Sequence, residues 1–280
     1  MRTLARLNVV VAANITALAL STQVWWSGFV SFPGLYALMF CGIMLMYFLL
    51  RARWLFVQPN AGDGIMAEFI YLNRILLGIM MLTLLLAAGY LAIWIVPFHS
   101  LGYFLPVIIM AALYQAPIGK GRRVRQVGAA KLFIISLSVT WISWVLPTLS
   151  ASPGVSRDMI DWPLGLLSRF FFILGITIPF DVRDMEEDKQ KKVKTIAVVN
   201  GEQKALHIAA FACLASMLTE FLRWNNGGIS GLNLAAVVIA LTVSIFVILE
   251  SGKARGELHF TWLVESMPGL MAFLLWAFRL

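Results

Sequence analysis

The sequence is poor in charge, in cysteine and in histidine. Asp, Glu, Lys and Arg make up 13% of its 280 residues, about half the share found in soluble globular domains. That excludes an ordinary water-soluble enzyme. The two cysteines, Cys41 and Cys213, both sit inside apolar runs and read as small buried hydrophobes, so no disulfide framework is expected. His99, His207 and His259 are scattered, without the spacing of a metal-ligand set. No stretch is polar enough to form a separate soluble domain, and residues 1–280 read as one transmembrane domain. The net charge is +8, but the basic residues gather in alternate loops. That is a topology signal rather than a nucleic-acid footprint, and no nucleic-acid partner is expected.

What the chain has in abundance is apolar surface. Hydrophobic residues make up 60% of it, and the mean hydropathy is +0.85. Runs near the ~20 residues needed to cross a bilayer recur along the chain. The pattern predicts an all-α polytopic membrane protein with nine spans. They lie at Leu7–Trp26, Phe32–Leu50, Ile70–Val96, Leu101–Tyr114, Ala129–Leu149, Leu164–Phe180, Ala205–Leu222, Gly231–Glu250 and Phe260–Phe278. The first follows Arg2 and Arg6 and lacks a clear small-residue cleavage site, so it reads as a span and not a signal peptide. Trp25, Trp26, Trp94, Trp141, Trp144 and Trp224 fall near span ends, as an interfacial aromatic belt would place them.

Nine spans put most cations on one side. Arg51 and Arg53, Lys120 to Lys131, Arg183 to Lys204, and Lys253 with Arg255 share the side of Arg2 and Arg6. Arg157, Arg223 and Arg279 fall opposite. The bias places the N-terminus and the charged loops in the cytoplasm, with the chain in a bacterial plasma membrane. Arg74, Arg169 and Glu250 lie near span ends, where long side chains reach out to water.

The densest chemistry is in 180–201, FDVRDMEEDKQKKVKTIAVVNG. Asp181, Asp184 and Asp188 are spaced i, i+3 and i+7, so on a helix they fall within roughly 60° of one another. Glu186 points to the opposite side. Such a line of carboxylates repels itself unless a cation sits on it, and oxygen ligands suit Mg²⁺. A solvated membrane-flanking charge run has the same composition. On the same side, the loop LYQAPIGKGRRVRQVG sets Lys120, Arg122, Arg123 and Arg125 among glycines, which lets backbone and guanidinium approach phosphate. A topology anchor or a contact with anionic lipid is the plainer reading of that loop alone. Together, a Mg²⁺-competent acidic face and a basic loop suggest a diphosphate site.

These residues carry a resemblance. The 180–201 segment resembles the second aspartate-rich motif of the UbiA superfamily of intramembrane prenyltransferases, with its D-x-x-D-x-x-x-D form followed by Lys194, Thr195 and Gly201. The loop beginning at Tyr114 is similar to that family's Tyr-x-x-Pro-x-x-x-Lys-Arg loop, and Glu265 stands in the last span where the family often has an Asp. The resemblance implies nine helices around a central cavity and Mg²⁺-dependent transfer of a polyprenyl group from a prenyl diphosphate to a hydrophobic acceptor. It implies Asp181, Asp184 and Asp188 as metal-holding catalytic residues, and Lys120, Arg122, Arg123, Lys194 and Tyr114 as substrate contacts; Arg51 is a further candidate contact, by its position. Membrane lipids are the surroundings.

One departure stands out. The family's first aspartate-rich motif should end the second span, but that place reads MYFLLRARWLF, without a carboxylate. Arg51 and Arg53 stand there instead, either pairing with phosphate or serving as positive-inside anchors. Two readings stay open: an enzyme with one carboxylate cluster, or a relative that binds an isoprenoid phosphate without turnover. A small-solute transporter finds little support, since no inverted repeat of broken helices is visible.

Overall fold

The computed structural model describes residues 8–59, 65–117, 124, 127–151, 159–252 and 255–278. All regular structure among them is helical. Among the described residues, nine helices are long and apolar enough to cross a membrane: α1 (Val9–Ser27), α2 (Pro33–Leu50), α3 (Arg74–Ile95), α4 (Phe98–Gln115), α5 (Gly128–Leu149), α6 (Asp161–Arg183), α7 (Glu202–Asn225), α8 (Gly231–Leu249) and α9 (Leu258–Ala277). Every expected span is present. The third begins later than expected, because a turn at Asn73 separates it from the short helix Ile65–Leu72. The fourth is longer, because the short helix Phe98–Leu101 and a 3₁₀ turn extend it toward α3.

The helices form a ring. Each of α4 to α9 packs on the next, α9 closes against α1, and α1 to α3 complete the wall. The closest pair is α6 and α7. A Cβ on Gly175 would lie 2.6 Å from Cys213 Sγ and 2.9 Å from the Ala209 carbonyl oxygen, so only glycine permits this approach. Small residues at such crossings are how helices associate where lipid is as apolar as the protein. Gly175 is also the residue whose carbonyl would accept from position 179. Pro179 has no N–H to give, which loosens the last turn of α6 just before Asp181. The α9–α1 contact is similar. Gly269 sits against Asn14, and Asn14 Nδ2 donates to the Glu265 carbonyl at 2.9 Å. That carbonyl belongs to a 3₁₀ turn, Val264–Ser266, interrupting the last span. A side-chain donor from a neighbouring helix satisfies it, as backbone at membrane depth requires.

Three expectations about polar residues are corrected. Arg169 does not reach out to water: it is buried, donates to Thr22 Oγ1 at 3.1 Å, and lies beside the Trp144 ring. Arg223 is fully buried, not in a loop. It grips Asp161 through two bonds of 2.8 and 3.0 Å, pairs with Glu220 at 3.0 Å, and lies over Trp25 and Trp144. Trp144 is accordingly in the core and not in an interfacial belt, while Trp94 is exposed as the belt predicts. A π-helical turn at Trp141–Val145 breaks α5 at this place. Sequence position gave Arg223 its loop assignment, but a cation can stay in the interior where carboxylates and aromatic faces neutralise it.

Candidate active site

The cavity that the ring encloses opens at the end where α1, α5 and α9 begin and α2 and α6 finish. Its volume is about 830 Å³. The deep part is apolar, walled by Val11, Ile15, Ile135, Val139, Ile173 and Ile176. The rim is charged, with Lys131, Asp181, Arg183, Asp184 and Glu187, and Glu265 faces in from α9. An apolar chamber with a few charged groups at one end suits an amphiphile with an anionic head.

Asp181 is the most buried carboxylate at that rim. It lies in the last turn of α6, is 0% exposed, and receives Lys131 Nζ on Oδ1 at 3.0 Å. Its Oδ2 is buried without a hydrogen-bond partner. Asp184 does not continue the helix but forms the turn between α6 and the short helix Met185–Gln190. Backbone bonds from Asp184 N to the Phe180 carbonyl (3.0 Å) and from Asp188 N to the Asp184 carbonyl (2.9 Å) carry the helical direction across that turn. Arg183 holds both Asp184 oxygens, at 2.7 and 3.1 Å. Asp188 is half-buried, with Oδ2 lacking a partner. Burial pushes its carboxyl above the usual carboxylate range; Asp184 and Glu187 add to the rise, and Lys131 and Lys191 oppose it.

The expected residues separate into three groups. Asp181 and Asp184 line the cavity, whereas Asp188 and Tyr114 are not in its wall. Both nevertheless lie within electrostatic reach of Lys131. Lys194 is exposed and away from the cavity. What that part of the motif does is structural. The Lys194 carbonyl lies so near Gly128 that a Cβ there would meet it at 1.7 Å. Thr195 Oγ1 caps the short helix Ile196–Asn200 by accepting from Val198 N, and Gly201 turns the chain at φ 82° into α7. Lys120, Arg122 and Arg123 lie outside the described residues, as does the Arg51 side chain. Where the second span ends, Tyr47 and Trp54 face the cavity, and Arg53 stacks over Trp54 at 3.8 Å. Glu186, as expected, turns away and pairs with Lys189 at 3.3 Å.

Lys131 and Glu187 were not among the expected site residues. Lys131 had been counted with the loop cations, yet it lies inside the apolar run that begins at Gly128. A charge within a span is the sequence signal that would have found it. Glu187 is a cavity residue because it continues, at helical spacing, the face that carries Ile173, Ile176, Phe180 and Asp184.

Among the described residues no three His, Cys, Asp or Glu side chains gather as a metal-ion group. Mg²⁺ commonly takes one or two protein carboxylates and completes its shell with water and phosphate. The partnerless buried oxygens of Asp181 and Asp188 fit that role.

The UbiA prenyltransferase family matches the chain over residues 74–264. A digeranylgeranylglyceryl phosphate synthase from Thermococcus gammatolerans is 26% identical over 120 residues, 42% of this chain and 43% of that protein; the match thus spans under half the relative's length. A UbiA homolog from Archaeoglobus fulgidus superimposes with a TM-score of 0.64 at 13% identity, over 99% of both chains. The same holds for the structure of such a homolog bound to GPP and Mg²⁺, again with a TM-score of 0.64, 13% identity and 99% of each chain. The family match begins at residue 74, after the place where the carboxylates of the first motif are missing.

Proposed function

Since the chain belongs to the UbiA prenyltransferase family, we propose that it transfers a polyprenyl group from an allylic prenyl diphosphate to a hydrophobic acceptor, with Mg²⁺ at the charged mouth of the cavity. The observation that supports this best is the cavity itself, an apolar chamber with Asp181, Asp184, Lys131 and Arg183 together at one end. Its apolar depth takes the prenyl tail, and its rim takes the diphosphate. Asp181, Asp184 and Asp188 would hold Mg²⁺, which when bound neutralises charge building on the departing diphosphate. Arg183 restrains Asp184, and Lys131 restrains Asp181, so the carboxylates meet the ligand pre-oriented, where electrostatic help is worth most. The apolar walls exclude water from the allylic carbon, leaving the acceptor as the nucleophile. The basic bias of the same loops supports a cytoplasmic mouth.

A second reading has its own observation. Among the described residues, the second-span side of the cavity presents Tyr47 and Trp54 and no carboxylate, which favours a relative that holds an isoprenoid diphosphate without turning it over. Purified protein given labelled geranylgeranyl diphosphate, with and without Mg²⁺, decides between them. Prenyl transfer predicts Mg²⁺-dependent release of diphosphate, lowered on the order of a hundredfold or more in Asp184→Asn. Saturable binding with no release in the wild-type protein would establish the non-catalytic reading.

A further inference from the structure

We propose that Lys131 is a built-in cation of the diphosphate site, standing in for a second divalent ion, so that the protein works with a single Mg²⁺ per chain. This deepens the prenyl-transfer reading and rests on it.

The geometry points to this from several directions. Lys131 and Asp181 both face the cavity. The ammonium lies 3.0 Å from Asp181 Oδ1, and Asp181 Oδ2 is buried with no partner. One carboxylate therefore has a fixed positive charge on one oxygen and no hydrogen-bond partner on the other. Among the described residues, the second-span side of the cavity, where a second carboxylate cluster would be needed to hold another ion, presents Tyr47 and Trp54. Residues 47–55 contain no Asp or Glu. The lysine is also held in place. It is three residues into α5, and the start of that helix is fixed where the Lys194 carbonyl presses on Gly128.

Among the described residues, four carboxylates line the cavity, Asp181, Asp184, Glu187 and Glu265, beside two cations, Lys131 and Arg183. A prenyl diphosphate adds further negative charge. A lysine ammonium binds phosphate as a point charge, never dissociates from the site, and gives up its water more readily than Mg²⁺ does. In the transfer step the allylic C–O bond breaks with its electron pair passing to the diphosphate. The acceptor's nucleophilic atom bonds to the allylic carbon, and the acceptor's proton ends on the released diphosphate. Lys131 contributes its charge to the diphosphate oxygens that receive that pair.

The test counts ions. Mn²⁺ bound in the presence of geranylgeranyl thiodiphosphate is measured by electron paramagnetic resonance, beside the Mg²⁺ dependence of diphosphate release from geranylgeranyl diphosphate. The unaltered protein is expected to bind one Mn²⁺ per chain, with release following a first-order dependence on Mg²⁺. Lys131→Met is expected to take up a second ion at the vacated Asp181 oxygen. Its release falls on the order of a hundredfold at low Mg²⁺ and recovers in part at high Mg²⁺ with a steeper dependence. Lys131→Arg keeps the charge and the single ion. Two ions in the unaltered protein would overturn the proposal, a measurement that needs no variant and so holds even where Lys131→Met does not fold. An unchanged ion count and Mg²⁺ dependence in a folded Lys131→Met would overturn it too, reducing the pair to a structural pin. Wild-type protein that binds no prenyl diphosphate would defeat the prenyl-transfer reading itself.

Discussion

At the scale of single residues, the aspartates of one motif have different surroundings. Asp181 is buried against a lysine, Asp184 is clamped by an arginine, and Asp188 is half-buried with one oxygen unpartnered. For Asp188 the physical consequence can be signed. Its folded-state pKa is raised above the ordinary value, chiefly by burial. It therefore favours the metal-free fold only while protonated, and that contribution is lost as pH rises through the raised value. At about pH 7 the charged carboxylate is a cost that Asp188→Asn removes. Thermal unfolding without metal should show the variant melting above wild type at neutral pH, with the gap closing as the pH is lowered to about 4. Added Mg²⁺ should raise the wild-type melting temperature more than the variant's. Equal metal-free melting at neutral pH would contradict this account. The composition of the motif was plain in the sequence; these separate environments were not, because each depends on a partner from another element or from the turn at Asp184.

At the scale of elements, hydrophobic runs and their flanking charges located every span, since a bilayer imposes one length on all helices that cross it. They did not reveal interruptions. The turn at Asn73 is held by its own side chain on the Phe69 carbonyl, whereas the π-helical turn at Trp141–Val145 and the 3₁₀ turn in α9 meet partners on other helices, Trp141 on the Tyr103 carbonyl and Asn14 on the Glu265 carbonyl. The same holds for the α6–α7 crossing. Gly175→Ala puts a methyl group 2.9 Å from a backbone oxygen that cannot swing away. It should destabilise the protein by about 1–3 kcal/mol, the usual cost of overpacking, read as a lower midpoint of unfolding in detergent. Because α6 carries Asp181, diphosphate release should fall as well. A variant as stable as wild type would show that the crossing relaxes freely.

At the scale of the whole molecule, the charged mouth and the buried Arg223–Asp161–Glu220 cluster lie at opposite ends of the bundle. Asp161 begins α6 and Asp181 is in its last turn. The excess of cations in loops on the mouth side supports that end as cytoplasmic. Lys189→Cys should then react with a membrane-impermeant maleimide only after cells are opened, and Asn226→Cys should react in intact cells. The native Cys41 and Cys213 are buried and should contribute little background. The reverse labelling would invert the topology.

The amino-acid sequence alone determined that this chain lives in a membrane, how many times it crosses, and which loop carries the acidic chemistry. Those are properties of composition and spacing, which a bilayer reads residue by residue. The tertiary structure decided which charges meet. Lys131 lines the cavity, Lys194 lies outside its wall, and Arg169 and Arg223 are buried. The energy of a charge in a low-dielectric interior depends on what lies within a few ångströms of it, and those neighbours come from helices far apart in the chain.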